Sequence, residues 1–105
     1  MKSITVEELK EMRDNNVEHQ LIDVREAHEL EICEIGGMHI PMGEIMSRLD
    51  ELRKDVPVIL HCRSGARSMA VGEALQKTGS YEHLVNLKGG ILAWAEEIDD
   101  SLEQY

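Results

Sequence analysis

Phenylalanine is absent from this 105-residue chain, and the aromatic remainder is one Trp and two Tyr. A core must therefore come from Ile, Leu, Val, Met and Ala. Cysteine is scarce too: Cys33 and Cys62 make neither a disulfide framework nor a convincing metal site. Positive charge is in deficit, with 11 Lys and Arg against 21 Asp and Glu, a net charge of −10. That excludes nonspecific nucleic-acid binding, which needs cations to neutralise phosphates. It also argues against anionic membrane surfaces. No apolar stretch approaches the roughly 20 residues of a spanning helix, and "MKSITVEELKEMRD" lacks the apolar run of a signal peptide. The expectation is a cytoplasmic protein with a solvated acidic surface and no membrane partner. In a reducing compartment a cysteine is packing, a metal ligand or a working thiol.

Repeats, low-complexity segments and linkers are missing as well, which predicts one domain over residues 1–105. A chain of this length buries roughly 65% of its unfolded surface, enough for one modest core without staples. Nothing in it demands a dimer, so a monomer is expected.

What is present is an alternation of helical and apolar runs. "TVEE" reads as a capping box, with Thr5 at the cap and Glu8 three residues on, opening a helix from Thr5 to Asn15. Gln20 to Val24 reads as a buried strand. "EAHELEICEI" suggests a short helix, and "GGMHIPMGEI" a loop with a short strand at Met38 to Ile40. "EIMSRLDELRKD" places Ile45, Leu49 and Leu52 on one helical face. "VPVILHC" is the clearest strand. It leads into the helix "ARSMAVGEALQKTG", with Met69, Ala70, Ala74 and Leu75 inward and Gly79 closing. "EHLVNL" is another strand, and "KGGILAWAEEI" a glycine turn into a last helix. The tail "DDSLEQY" should fray or pack weakly. Short apolar strands between helices imply an α/β domain with a mostly parallel sheet covered on both faces. Ligands in such folds bind where strand carboxyl ends meet helix amino ends.

"HCRSGARS", residues 61–68, sits at such a junction. A thiolate is the nucleophilic form of cysteine, and its surroundings decide whether it forms. A helix amino end favours negative charge, and Arg63 and Arg67 add positive charge. Gly65, with the small Ser64 and Ala66, lets the loop curl so that successive N–H groups form an anion-binding nest over Cys62. Burial of the thiol would act in the opposite direction. The plainer reading, Cys62 as a small buried hydrophobe, needs Arg63, Gly65 and Arg67 to coincide by accident.

These residues resemble the active-site loop of rhodanese-like sulfurtransferases. "LIDVRE" (21–26) resembles the family's first strand signature, "GGMHIPMGEI" its "G-H-I-P-G-A" region, and "LKGGILAWAEEI" its "L-x-G-G-x-x-A-W" signature. The matches fall in family order across residues 21 to 98. The resemblance implies a three-layer fold with a five-stranded, mainly parallel sheet. It implies that Cys62 takes the outer sulfur of a small anionic donor, such as thiosulfate or a persulfide. The Cys62 persulfide would then pass that sulfur to a thiol or a sulfur-carrier protein. Backbone N–H groups of residues 63–67 would cradle the persulfide, and Arg63 and Arg67 would attract the donor and stabilise its leaving group. No cofactor or metal is implied. Asp23 and Arg25 match residues that hold the catalytic loop. The chain also resembles the rhodanese-like domain at the end of adenylyltransferases that activate sulfur-carrier proteins, through "ELEIC" and "GGILAWAEEIDDSLEQY".

Two other classes stay open. A cysteine phosphatase or arsenate reductase of this fold resembles C-x5-R, whereas Cys62 to Arg67 is C-x4-R, and no general acid is evident. A noncatalytic interaction or persulfide-carrier module is the remaining alternative. Arg25 could donate to loop carbonyls or pair with Asp23 or Glu26. Cys33 could resolve a Cys62 persulfide, but its neighbours Ile32 and Ile35 favour packing. His61 should face away from Cys62, since strand side chains alternate. His39 reads as a loop residue and Trp94 as packing.

Overall fold

A computed structural model describes all 105 residues. The elements are β1 (Lys2–Ile4), α1 (Val6–Asp14), β2 (Gln20–Asp23), α2 (Ala27–Leu30), β3 (Met38–His39), β4 (Val58–His61), α3 (Ala66–Gln76), β5 (Leu84–Leu87) and α4 (Gly90–Glu97). Two 3₁₀ segments, Met42–Ser47 and Leu49–Glu51, lie between β3 and β4. The five strands form one sheet in the order β1-β5-β4-β2-β3, and every neighbouring pair is parallel. The α/β class and the parallel sheet expected from the alternating pattern are therefore present.

Strand alternation divides the core in two. Ile4, Leu21, Ile59, Val85 and Leu87 face one side, where α1 and α4 add Leu9, Ile91 and Trp94. Ile22, Val24, Leu60 and Leu84 face the other, where α3 and the 3₁₀ segments add Val71, Leu75, Ile45 and Leu52. β4 lies at the centre of the sheet and is buried along its whole length, so the residue that follows it emerges beneath packed structure.

The capping box predicted at the first helix is formed. Thr5 Oγ1 accepts from the Glu8 N–H at 3.1 Å, and Glu8 Oε1 accepts from the Thr5 N–H at 3.1 Å. Five expectations need correction. β1 is a strand that the sequence reading missed; three residues carry too little pattern, and pairing with β5 defines it. "EAHELEICEI" is helical only over Ala27–Leu30, because Arg25 Nη2 takes the Cys33 carbonyl at 2.8 Å and draws the chain into a turn. "EIMSRLDELRKD" is not an α-helix. The Gln20 side chain donates to the Glu51 carbonyl and accepts from the Arg53 N–H, both at 2.8 Å, which ends the helical ladder there. On α3 the inward residues are Ser68, Val71, Gly72 and Leu75, while Ala70 and Ala74 are exposed. The small side chains of Ala70 and Ala74 face solvent because the helix turns its Val71–Leu75 stripe to the sheet. Finally, the tail does not fray: Leu102 and Tyr105 pack against the α1–α4 side of the core.

Candidate active site

Cys62 leaves the carboxyl end of β4 and is completely buried at the floor of the loop that enters α3. Gly65 caps α3 with φ +101°, a left-handed conformation that glycine adopts without penalty. The curl brings the Gly65 N–H to 3.1 Å from Cys62 Sγ, and the Ser68 hydroxyl lies 3.5 Å from the same sulfur. Burial pushes the thiol pKa up, but hydrogen bonds from the Ser68 hydroxyl and from the Ser68, Gly65 and Ser64 N–H groups outweigh it. The net result is a pKa below the ordinary thiol value. The curl expected of the small residues is present, and its donors act on the cysteine sulfur itself.

The loop is held from behind by α4. The Ile91 and Leu92 N–H groups, free in the first turn of that helix, donate to the Cys62 and Arg63 carbonyls at 3.0 and 3.1 Å. Gly90 makes this approach possible. It sits at φ +57°, and a Cβ there would come within 2.5 Å of both carbonyl oxygens. Asn86 on β5 donates to the Gly65 carbonyl at 3.3 Å and accepts from the Ser68 hydroxyl at 2.5 Å. A serine carries one hydroxyl proton, so Ser68 either donates to Asn86 or turns it to the sulfur as the thiolate forms.

The predicted arginines occupy three different settings. Arg63 is exposed, with its guanidinium 5.0 Å over the Tyr105 ring. Arg67 is held in a fork by Glu29, with two bonds of 2.8 Å. It is therefore not the free cation that the sequence suggested. This pairing, opposed in part by burial, draws the Glu29 carboxyl pKa down to about 2. Arg25 is fully buried and pairs with Asp23, Nη2 to Oδ2 at 2.7 Å and Nε to Oδ1 at 3.0 Å. It donates further to the Cys33 and Glu29 carbonyls and to the Tyr105 hydroxyl. Of the partners considered for Arg25, Asp23 is used; Glu26 and the carbonyls of the Cys62 loop are not. The carbonyls it does reach belong to the segment after β2, so Arg25 acts on the Cys62 loop indirectly, through Glu29 to Arg67 and through Tyr105 to Arg63. Ser64 and Ala66 are exposed on the rim.

His61 faces away from Cys62, as strand alternation predicts. Its Nε2 lies 3.6 Å from Asp23 Oδ2, and burial pushes its pKa down to about 4, which leaves it neutral. His39 is a β3 residue, not a loop residue, and its imidazole bonds to the Arg25 carbonyl at 2.6 Å. Cys33 belongs to the apolar cluster on the opposite side of the sheet from that of Cys62, which favours packing over resolution of a persulfide. Trp94 is core, with Arg13 5.0 Å from its ring.

Four site residues escaped the sequence reading: Glu29, Ser68, Asn86 and Tyr105. Asn86 had a signal, as an amide inside the apolar run "LVNL", and so did Ser68, inside the quoted motif. Glu29 and Tyr105 had none, because their roles arise from contacts across 38 and 80 residues of chain.

The rhodanese-like domain family model matches residues 5–97. The chain belongs to the rhodanese-like domain family. It is 40% identical over 98 residues to a putative sulfurtransferase of Bacillus subtilis (strain 168), covering 92% of this chain and 93% of that protein. A putative sulfur carrier protein of the same organism is 33% identical over 92 residues, 87% of this chain and 49% of the relative. The crystal structure of a rhodanese-like domain protein from Staphylococcus aureus superposes with a TM-score of 0.83 at 35% identity. The match covers 100% of this chain and 99% of that one.

A well-formed cleft lined by Arg53, Lys54, Tyr81 and His83 opens near Val58 and Leu84, at the amino ends of β4 and β5 and thus away from Cys62. No helix is long and apolar enough to cross a membrane.

Proposed function

We propose that this chain is a sulfurtransferase that works through a persulfide on Cys62. The observation that carries the reading is the Cys62 sulfur itself, 3.1 Å from the Gly65 N–H and lowered in pKa by the loop around it. The names of the family relatives support sulfur transfer; the donor and the intermediate are our inference.

The Cys62 thiolate attacks the outer sulfur of thiosulfate. A Cys62 S–S bond forms, the S–S bond of thiosulfate breaks, and sulfite leaves with the electron pair. The product is an anionic Cys62 persulfide, so charge is conserved. A nucleophilic acceptor then attacks the outer sulfur and releases the Cys62 thiolate. This divides one transfer into two displacements. The N–H groups of residues 63–67, from Arg63 through Ser64, Gly65 and Ala66 to Arg67, cradle the sulfur. Arg63 at the rim meets the donor anion and its leaving sulfite. Arg67, with Glu29, holds the start of α3, and Asp23 and Arg25 brace the frame behind it. No cofactor or metal takes part in the steps as written.

The acceptor is a thiol or a sulfur-carrier protein, a choice supported by the relative that bears the latter name. One copy of this domain holds every residue the steps use, so the proposed steps need no second copy. Both cysteines are free, as a reducing cytoplasm would keep them.

The test is the intact mass of reduced protein after thiosulfate treatment, beside Cys62→Ser. The expected result is a gain of one sulfur, removed by cyanide as thiocyanate and absent from the variant. Folded protein with a free thiol that gains no sulfur from thiosulfate or a small persulfide would overturn the reading. Loading without release to any small acceptor would identify a carrier that delivers only to a docked protein.

A further inference from the structure

Eight residues follow α4, and they return to the Cys62 site. The turn is built: the Ile98 and Asp99 N–H groups both take the Trp94 carbonyl at 2.9 Å, and the Ser101 N–H takes Asp99 Oδ1 at 3.1 Å. Leu102 then packs on the core. This path delivers Tyr105 to a position between three charged groups. Its hydroxyl accepts from Arg25 Nη1 at 3.0 Å and donates to Glu29 Oε1 at 2.8 Å. The same Glu29 oxygen accepts from Arg67 Nη2 at 2.8 Å. The ring carries Arg63 on its face, 5.0 Å from the centroid, and Arg25 lies 5.9 Å away.

Each contact has a separate consequence. Arg63 follows the nucleophile directly and is exposed, so without the ring its long side chain is free to sample solvent; stacking confines it. Glu29 is a carboxylate beside an anion-handling site. Left unpaired, it would repel an anionic reagent. Tyr105 and Arg67 together occupy its oxygens, and the hydroxyl fixes the orientation in which Arg67 forks onto it.

We propose that Tyr105 is a positioning residue of the Cys62 site: its ring confines Arg63 and its hydroxyl locks Glu29, so that the mouth favours anionic reagents. The proposal deepens the sulfur-transfer reading and rests on it only for the identity of the natural donor.

The test compares alkylation of Cys62 by iodoacetate, an anion, and by iodoacetamide, which is neutral, with the site of modification read by peptide mass. Rates are referred to those of free cysteine with the same reagents. The wild type is expected to favour the anion. Tyr105→Ala is expected to lower the iodoacetate-to-iodoacetamide ratio about three- to tenfold, the scale of local electrostatic focusing. Tyr105→Phe keeps the platform and loses the lock, and should fall between the two, about twofold below wild type. Salt at about 1 M should bring the wild type down to the alanine variant. A role in stability alone would slow or speed both reagents together. A folded Tyr105→Ala protein with the wild-type ratio would overturn the proposal. So would a wild type with no anion preference, and should the alanine variant not fold, a wild-type ratio in Tyr105→Phe that is also insensitive to salt. Sulfur loading is measured separately. If the ratios move as expected but no sulfur is taken up, the donor assignment fails and the positioning role stands.

Discussion

The segments that follow β2 and β4 leave the sheet side by side, in a register that sets Asp23 against His61. They handle charge in opposite ways. After β4 the chain uses small residues and backbone dipoles, and a single sulfur receives the N–H groups of a curled loop. After β2 it uses full charges, Asp23, Arg25 and Glu29, all buried and each paired. Dipoles can stabilise a charge that comes and goes with reaction, because they need no counter-ion of their own. Buried full charges cannot be left alone, so they cancel each other and make a rigid frame. The reactive sulfur is held by dipoles; the two buried carboxylates of the support, Asp23 and Glu29, are balanced by Arg25 and by Arg67 from the Cys62 loop.

The largest expected effect removes one half of the charged frame. Arg25→Met leaves the Asp23 carboxylate buried without its partner, and should cost about 3–5 kcal/mol in urea unfolding. Should it cost less than Gly90→Ala, the frame would not be the dominant support. Gly90→Ala attacks the dipolar region instead, where a Cβ meets two carbonyl oxygens at positive φ. It should lose about 2–4 kcal/mol and slow sulfur loading as the loop shifts.

Glu29→Gln tests the outer edge of the frame through pH. The native carboxyl is held at about 2, below its usual 4.5. Its contribution is therefore complete above about pH 4.5 and is lost as pH falls towards 2. The variant should be less stable at pH 7 by about 1–2 kcal/mol, and its stability should fall less steeply through that acid window. Parallel curves for wild type and variant would refute the assignment.

Ser68→Ala removes a donor to the sulfur but leaves the frame intact. The thiolate absorbance should titrate at higher pH than in the wild type, and loading near pH 7 should slow by about tenfold, the worth of one hydrogen bond to a charge. Cys33→Ala should be the mildest change, about 1 kcal/mol of packing, with sulfur loading retained. Loss of loading there would restore Cys33 as a chemical partner of Cys62.

The dipolar region was legible in the sequence; of the charged frame Asp23 and Arg25 were, through the family resemblance, and Glu29 was not. Cys62, Gly65 and Arg67 are near neighbours, and local backbone geometry dictates most of what they do. Thr5 and Glu8 were legible for the same reason. Arg67 shows where local reading stops: the sequence gives it a charge, but whether that charge meets a substrate or Glu29 depends on a fold that brings residue 29 to residue 67. Gln20 ends a helical stretch more than thirty positions away, and no periodicity in "EIMSRLDELRKD" could announce that.

By itself the sequence determined the alternation of strands and helices, the cap of α1, and a thiol at a strand–helix junction ringed by small residues, since all of these follow from interactions over a few residues. Only the tertiary structure decided that α4 closes on the Cys62 loop through Gly90, that Glu29 forks onto Arg67, and that the tail brings Tyr105 to Arg63 and Glu29. Those contacts are few, polar and distant in sequence. They form only after hydrophobic burial has placed the sheet and helices, so no local pattern encodes them.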